Sequence, residues 1–149
     1  MSKSDAFETA LLGLIFQNAN IANIGDVTGL RASTTTGSLY VSLHTADPGD
    51  AGTQSTSECT YTGYARMPVA RTSGGWTLSG NAVNLTAAVS FANPSNATNL
   101  PQTATYWGIG ASSTGTGLLL YSGAISPSIV ISNTGTTPQL TTGSTVTED

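Results

Sequence analysis

Charged side chains are scarce in this chain, because Asp, Glu, Lys and Arg together make up only 8% of its 149 residues. An average soluble domain contains about 25% of these residues. The chain has four Lys and Arg residues and eight Asp and Glu residues, which gives a formal net charge of −4. So few cations form no basic patch that could neutralise phosphates, so binding to nucleic acid is not expected.

Cysteine and histidine each occur once, as Cys59 and His44. A single cysteine excludes an internal disulfide, and we expect its side chain to be half-buried and apolar rather than reactive. Asp47 and Asp50 follow His44 closely, but their spacing matches no metal-ligand motif, and a hydrogen-bonded structural histidine is expected. The sequence therefore predicts no metal site and no cofactor.

Long apolar runs are also missing, since none approaches the ~20 residues that a membrane-spanning helix needs. Asp5 and Glu8 interrupt the segment in which a secretory signal would have its apolar core, so we expect a protein that is made in a cytoplasm and has no membrane partner. Nor does the chain contain a Gly-x-Ser-x-Gly elbow or a recognisable pair of catalytic carboxylates. We predict that it is not an enzyme and has no catalytic residues.

The first patterned stretch predicts an α-helix from about Asp5 to Asn18. Its apolar residues recur at helical spacing and form one stripe: Phe7, Ala10, Leu11, Leu14 and Ile15. Asp5 and Glu8 resemble a capping box at the start of this helix. Leu12 and Phe16 widen the apolar face beyond this stripe, which indicates that the helix packs on more than one side. Two alternatives are open for the helix, which either caps the open end of a β core or contacts a neighbouring subunit.

From Ser38 onward, short strands dominate the pattern. In the segment Ser38–His44 apolar and polar residues alternate, which predicts a strand with one face in the core. A second strand is predicted over Tyr64–Arg71, and because of Pro68 it either lies at a sheet edge or carries a bulge there. The segment Leu118–Tyr121 is apolar on both faces, so a central strand is expected there. A pair of short strands is predicted around the turn Ser79–Asn81, and a further strand is predicted at Ile129–Ile131.

Summed over the chain, eight to ten short strands without helical crossovers predict an all-β fold. We expect an antiparallel β-sandwich, similar to a jelly roll, with one N-terminal α-helix. The chain length fits a single domain. Within that domain we expect residues 1–37 to form the helix and a connector packed on the core, and residues 38–149 to form the sandwich.

Two of the four cations, Arg66 and Arg71, lie on opposite faces of the second predicted strand, near a sheet edge. Arginine favours carboxylate partners, so each has either an intrachain partner such as Asp47 or Glu58, or a partner on another subunit. Both alternatives are open. The candidate intersubunit contacts are therefore Arg66, Arg71, Phe7, Leu11 and Leu14.

Three segments carry a family resemblance: Ser42–Gly49 (SLHTADPG), Tyr61–Arg66 (YTGYAR) and Val69–Arg71 (VAR), followed by Trp76. With them the chain resembles a family of small virion proteins of tailed bacteriophages over nearly its whole length. The resemblance implies a structural component of the virion, and it carries no catalytic residues.

From this resemblance we expect a capsid decoration or cement protein on the outer capsid surface, made in the host cytoplasm. Its expected partners are the major capsid protein and neighbouring copies of itself in a homo-oligomer. A tail or tail-fibre component is the alternative. A further alternative is an independent β-sandwich module that binds carbohydrate through aromatic side chains, for which the candidates are Trp76, Tyr106 and Trp107, although the core is the expected place for all three.

Overall fold

The computed structural model describes residues 2–148, and this part of the chain contains one helix and nine strands. In chain order they are α1 (Asp5–Gln17), β1 (Ser38–His44), β2 (Met67–Ala70), β3 (Trp76–Ser79), β4 (Ala82–Leu85), β5 (Val89–Ser90), β6 (Gln102–Gly110), β7 (Leu119–Ile131), β8 (Gln139–Leu140) and β9 (Thr145–Thr147). The strand ladders between β1 and β6, β3 and β4, β4 and β9, β5 and β8, and β6 and β7 are all antiparallel. The predicted all-β class with one N-terminal helix is confirmed. The finer sandwich arrangement stays a prediction.

Two compact units make up the fold. The first contains the described residues up to Ser38, the segment Val69–Ala88 and the described residues from Thr141 onward. The second contains Leu39–Pro68 and Val89–Leu140. The predicted organisation, a single domain divided at residues 37 and 38 into helix and sandwich, stays a prediction.

Helix α1 begins at Asp5, as predicted, and its N-cap is the residue before. Ser4 is the N-cap, and its Oγ accepts a hydrogen bond from the Phe7 backbone N–H at 3.4 Å. The predicted capping box starting at Asp5 is therefore wrong. Asp5 and Glu8 do lie in the first turn, where their negative charges interact favourably with the positive end of the helix dipole. Asn18 ends the helix in the left-handed region at φ 55°.

The core face of α1 differs from the predicted stripe. Leu12 and Phe16 are fully buried, whereas Phe7 is 37% exposed. The reason is Trp76, whose ring packs edge-on against Phe16 with the ring centroids 4.8 Å apart. Gln17 fixes this orientation, because its Nε2 donates to the Trp76 carbonyl at 2.8 Å. Helix α1 thus packs against β3 through Phe16 and Trp76. Both alternatives, a helix that caps the open end of the β core and a helix that contacts another subunit, stay predictions.

The sheet of the first unit has the strand order β3-β4-β9. Strands β3 and β4 form the predicted hairpin around Gly80, with Trp76 opposite Leu85. Strand β9 adds to β4, where Val83 is opposite Val146. Gly80 has φ 60°, a conformation that suits glycine in so short a turn.

The connector between α1 and β1 was expected to lie against the core, and this prediction is wrong for most of it. Val27 is 82% exposed, and Ile24 and Leu30 are also exposed, while Ile21 is buried. Ile21 and Leu30 pair in an isolated antiparallel bridge that closes a loop. Asp26 accepts hydrogen bonds from the backbone N–H groups two and three residues later. The loop therefore hydrogen-bonds these backbone groups within itself rather than to the core.

The largest sheet has the order β2-β1-β6-β7. Strand β2 is an outer strand, which confirms the edge position predicted from Pro68. Strand β1 is buried on both faces rather than one, because Ser42 and His44 are buried as well as Val41 and Leu43. The polar loop after β1 folds back over this second face, where the His44 ring contacts a loop carbonyl.

Strand β7 is also an outer strand of this sheet, so the prediction of a central strand at Leu118–Tyr121 is wrong. Leu118 itself is 66% exposed. The two strands predicted at 118–121 and 129–131 form one long strand instead. A register shift between Ala104 and Tyr106 leaves residues 125–128, which include Pro127, outside the ladder with β6. A proline is accommodated there because no ladder hydrogen bond is needed.

The turn between β6 and β7 is filled by a buried side chain, Gln54. Its Oε1 accepts a hydrogen bond from the Ser112 N–H at 2.9 Å, and its backbone N–H donates to the Gly117 carbonyl at 3.0 Å. A Cβ atom on Gly110 or on Gly117 would overlap the Gln54 side chain. Glycine is therefore required at both positions for the turn to close on this residue.

We expect Gly110→Ala to lower the free energy of unfolding by about 1–3 kcal/mol, because the added methyl group overpacks the site of Gln54. Thermal unfolding of the purified protein measures the loss. Gly74→Ala is the matched control, since its added Cβ would make only an ordinary contact, 3.5 Å from Thr72 Oγ1. Adding Gln54→Ala to Gly110→Ala should restore part of the melting temperature. A Gly110→Ala variant as stable as the control would contradict this packing.

Candidate functional site

Arg66 lies in a buried polar cluster of its own chain. Its guanidinium binds Glu58 in a bidentate manner, with Nε to Oε1 and Nη2 to Oε2 both at 2.7 Å. Nη1 donates to the Ser112 carbonyl at 3.0 Å and Nη2 to the Gly115 carbonyl at 2.7 Å. The Tyr64 hydroxyl donates to Glu58 Oε1 at 3.0 Å. The structure thus shows the intrachain pair with Glu58 that was one of the two alternatives.

This cluster connects three separate segments of the second unit. The hydrogen bond to Glu58 raises the pKa of Arg66, so the guanidinium is charged at any physiological pH. Burial, reinforced by the charge of Glu58, raises the pKa of Tyr64, so its phenol stays protonated and donates. A cleft of about 250 Å³ lies against the cluster, with walls that include Ser113 and Thr114. The cluster holds the chain in place around this cleft.

We expect Arg66→Met to cost about 3 kcal/mol of unfolding free energy, because it leaves the Glu58 carboxylate largely buried and without its counter-ion. Adding Glu58→Gln removes that charge and keeps an acceptor for the Tyr64 hydroxyl, so the double variant should recover a large part of the loss. Chemical denaturation of both variants measures this difference.

Arg31→Met serves as the control for this comparison, because Arg31 is exposed. It should be close to the wild type. A double variant no more stable than Arg66→Met alone would show that the loss comes from packing rather than from an unpaired charge.

Arg71 also binds within its own chain, at the end of helix α1. Its Nε donates to the Ile15 carbonyl and its Nη2 to the Leu14 carbonyl, both at 2.6 Å. The last turn of α1 has no basic residue of its own. Arg71 therefore supplies from a distant part of the sequence the cation that a helix C-terminus favours.

The five candidate intersubunit contacts thus fall into two groups. Arg66 and Arg71 are bonded inside the chain, whereas Phe7 is exposed and Leu11 and Leu14 are half-buried on α1. Nothing in a single chain tests a contact with another subunit, so this role stays a prediction for all five. The helix residues offer more free surface for it than the arginines do.

A serine and a histidine lie side by side on β1. Ser42 Oγ is 2.8 Å from His44 Nε2, and His44 Nδ1 is 2.8 Å from the Thr56 carbonyl oxygen. Since a carbonyl only accepts, Nδ1 carries the proton and Nε2 accepts the Ser42 hydroxyl. Sequence reasoning expected a hydrogen-bonded structural histidine, but it missed Ser42, because a serine on the polar face of a strand carries no distinctive signal.

This pairing has the geometry of a nucleophile and its base, but both side chains are fully buried. Gly108 lies directly against them, and a Cβ there would be 2.7 Å from His44 Nε2. A site without room for one methyl group has no room for a substrate carbonyl. The pair therefore links β1 to the loop at Thr56, and it leaves no opening for chemistry.

Burial lowers the pKa of His44 below its ordinary value of 6.5. The unfolded chain therefore takes up a proton near pH 6.5 while the folded chain does not. This residue destabilises the fold as the pH falls below about 6.5, by up to about 1.4 kcal/mol per pH unit until the folded pKa is reached.

We predict that the unfolding free energy of the wild type declines more steeply from about pH 7 to about pH 5 than that of His44→Gln. Denaturant titrations at each pH give the two slopes. Equal slopes in the two proteins would mean that His44 titrates in the folded state as it does in the unfolded chain.

The remaining candidates for chemistry are also enclosed. Cys59 is buried rather than half-buried, and this burial raises the pKa of its thiol to about 12. Trp76 and Trp107 are buried, and Tyr106 is half-buried, so neither tryptophan offers a stacking surface to a sugar. Within residues 2–148 no three His, Cys, Asp or Glu side chains lie together where a metal ion would need them. The helix that is described there is too short and too polar to cross a membrane.

The fold and these internally bonded clusters can now be compared with known proteins. A family model described as Podophage GP4 fiber I protein gp80 matches residues 2–148. The chain is therefore a structural protein of a tailed-phage virion, as the sequence resemblance implied. It belongs to the podophage GP4 fiber I protein family. No curated protein gives a significant sequence match.

Proposed function

We propose that this chain is a fibre component of a podophage virion that acts by protein–protein association. The observation that carries the proposal is the family match over residues 2–148, whose description names a fibre protein. This was the alternative reading of the sequence. The first reading, a decoration or cement protein on the outer capsid surface, has no comparable support, and we keep it as the competing outcome of the test.

The described part of the chain supports an associative role through its charges. Arg66 and Glu58 neutralise each other inside the second unit, and the Lys3 ammonium pairs with Glu148 at 3.1 Å in the first. The contacts left for partners are mainly apolar and hydrogen-bonding groups. Such contacts change little with salt, which suits a particle that meets media of different ionic strength. Weak contacts that are repeated along a fibre add through avidity.

We also propose that the protein is not an enzyme, and the enclosure of its best candidate pair supports this proposal. The Ser42–His44 pair is the best geometric candidate for a catalytic pair, and it is sealed by Gly108. The carbohydrate-binding alternative loses two of its three candidate stacking surfaces, because Trp76 and Trp107 are in the core. The partners that we propose are neighbouring copies of the chain and other virion proteins, with no nucleic acid and no membrane.

Labelling of intact virions tests the proposal. An antibody raised against the purified chain should mark discrete fibres by electron microscopy, and the protein should be present in far fewer copies than the major capsid protein. Virions that lack the chain should lose those fibres and keep an intact head. Labelling spread evenly over the head, at a copy number near that of the capsid protein, would overturn the fibre assignment in favour of decoration.

A further inference from the structure

The cleft beside the Arg66–Glu58 pair is a concave place in which the fold leaves hydrogen-bonding groups unused. Its volume is about 250 Å³. Two segments of the second unit form its walls, Tyr64–Arg66 and Ser113–Gly115, together with Glu58. Arg66 joins these walls, because its guanidinium donates to two backbone carbonyls of the turn after β6 as well as to Glu58. The cleft is therefore formed by the fold itself, before any ligand binds.

The Glu58 carboxylate is the first of the unused groups. Its Oε1 accepts from the Tyr64 hydroxyl at 3.0 Å and from Arg66 Nε at 2.7 Å, whereas among the described residues Oε2 accepts from Arg66 Nη2 alone. Each carboxylate oxygen can accept about two hydrogen bonds, so Oε2 has one position left. The Glu58 side chain is 14% exposed, and Glu58 lines the cleft. It therefore offers a ligand one charged acceptor in a largely buried setting.

Two hydroxyls complete the set, those of Ser113 and Thr114. Both residues are exposed and line the cleft, and neither hydroxyl has a hydrogen-bond partner within residues 2–148. A hydroxyl both donates and accepts, so these two can bond to neighbouring polar groups of one ligand. Thr116, two residues further along the same turn, is also exposed but is not among the residues that line the cleft.

The charges in the cleft favour a neutral ligand. Arg66 and Glu58 form a neutral pair, and the other described residues that line the cleft are uncharged. A cation or an anion that entered would lose part of its hydration without gaining a counter-ion. A neutral group that donates a hydrogen bond gains Glu58 as a strong acceptor, because bonds to an ionised group are stronger than bonds between neutral groups.

Size and the number of polar groups favour a sugar ring over a peptide side chain. Clefts for drug-sized ligands have volumes of roughly 300–1,000 Å³, so this smaller cleft suits a single ring. A pyranose carries a hydroxyl on most of its carbons and can bond to Glu58, Ser113 and Thr114 at the same time. A serine, threonine or asparagine side chain has one polar group and leaves the remaining partners unused.

We propose that this cleft binds one neutral sugar ring of a carbohydrate. Glu58 Oε2 accepts a hydrogen bond from one sugar hydroxyl, and the Ser113 and Thr114 hydroxyls bond to adjacent ones. This inference goes beyond the proposed function, and it holds whether the chain lies in a fibre or on the head. It also differs from the carbohydrate-binding alternative considered above, because hydrogen bonds rather than stacking on aromatic rings hold the ligand.

An NMR titration of the full-length chain tests the proposal with glucose, galactose and N-acetylglucosamine as neutral probes. Each is added up to about 100 mM, because a ligand of about a dozen non-hydrogen atoms is expected to bind in the millimolar range. At least one of them should give saturable shifts at the backbone amides of Ser113–Gly115 and at Arg66 Nε. Glucosamine and glucuronate, which carry a positive and a negative charge, should bind at least about threefold more weakly.

Variants at exposed residues separate the cleft from the rest of the surface. Thr114→Val removes one hydroxyl and keeps the shape, so it should weaken binding about threefold to tenfold, the effect of one lost hydrogen bond. Thr116→Val is the matched control on the same turn and should bind as the wild type does. Ala65→Phe fills the cleft and should abolish binding, whereas Ala111→Phe, at an exposed alanine that does not line it, should not.

Each of four results would overturn the proposal. The first two are no saturable shift at the cleft with any of the three neutral sugars, and equal weakening by Thr114→Val and Thr116→Val. The third is a charged sugar that binds as tightly as the best neutral one. The fourth is N-acetylthreonine amide binding more tightly than every sugar, which would assign the cleft to a peptide. None of these results affects the fibre assignment, and labelling of the whole head would remove that assignment while leaving the sugar site in place.

Discussion

The second unit depends on one buried ion pair, Arg66 with Glu58. The guanidinium also binds the carbonyls of Ser112 and Gly115, so one side chain fixes the approach to β2, the loop after β1 and the turn after β6. In water such a pair contributes little, but here the Arg66 side chain is 3% exposed and its bonds are bidentate. The cleft beside it and the position of Tyr64 follow from this pair.

Several of the few charged groups have a definite partner within the fold. Arg71 supplies the cation that helix α1 lacks at its C-terminus, and Asp26 closes the turn of the exposed connector through backbone bonds. In a chain rich in Lys and Glu, such roles are shared among many alternatives. Here a single substitution removes a hydrogen-bonding role that no neighbouring charged residue takes over. The fold therefore depends on these individual charged residues.

Alternation and turn residues made much of the fold predictable, including the β3–β4 hairpin at Gly80 and the edge position of the strand with Pro68. The predictions that failed concerned features that depend on contacts with residues distant in the sequence. The buried face of α1 is set by Trp76, and the second face of β1 is covered by a loop that has no periodicity of its own. The pattern around Leu118 indicated apolar character correctly, but burial is a property of the sheet order, which no local pattern contains. Of the candidate site, the Arg66–Glu58 pair was foreseeable as one of two alternatives, and the Ser42–His44 pair was not.

The connector loop between Ile21 and Leu30 has a practical consequence. Its two ends are held together by a backbone bridge, its tip at Val27 is almost fully exposed, and its turn is closed by its own Asp26. Entry and exit of the chain are therefore fixed independently of what lies between them. Foreign peptides placed at this tip would extend into solvent from a closed base, so the loop is a natural position for displaying added sequence on a phage particle.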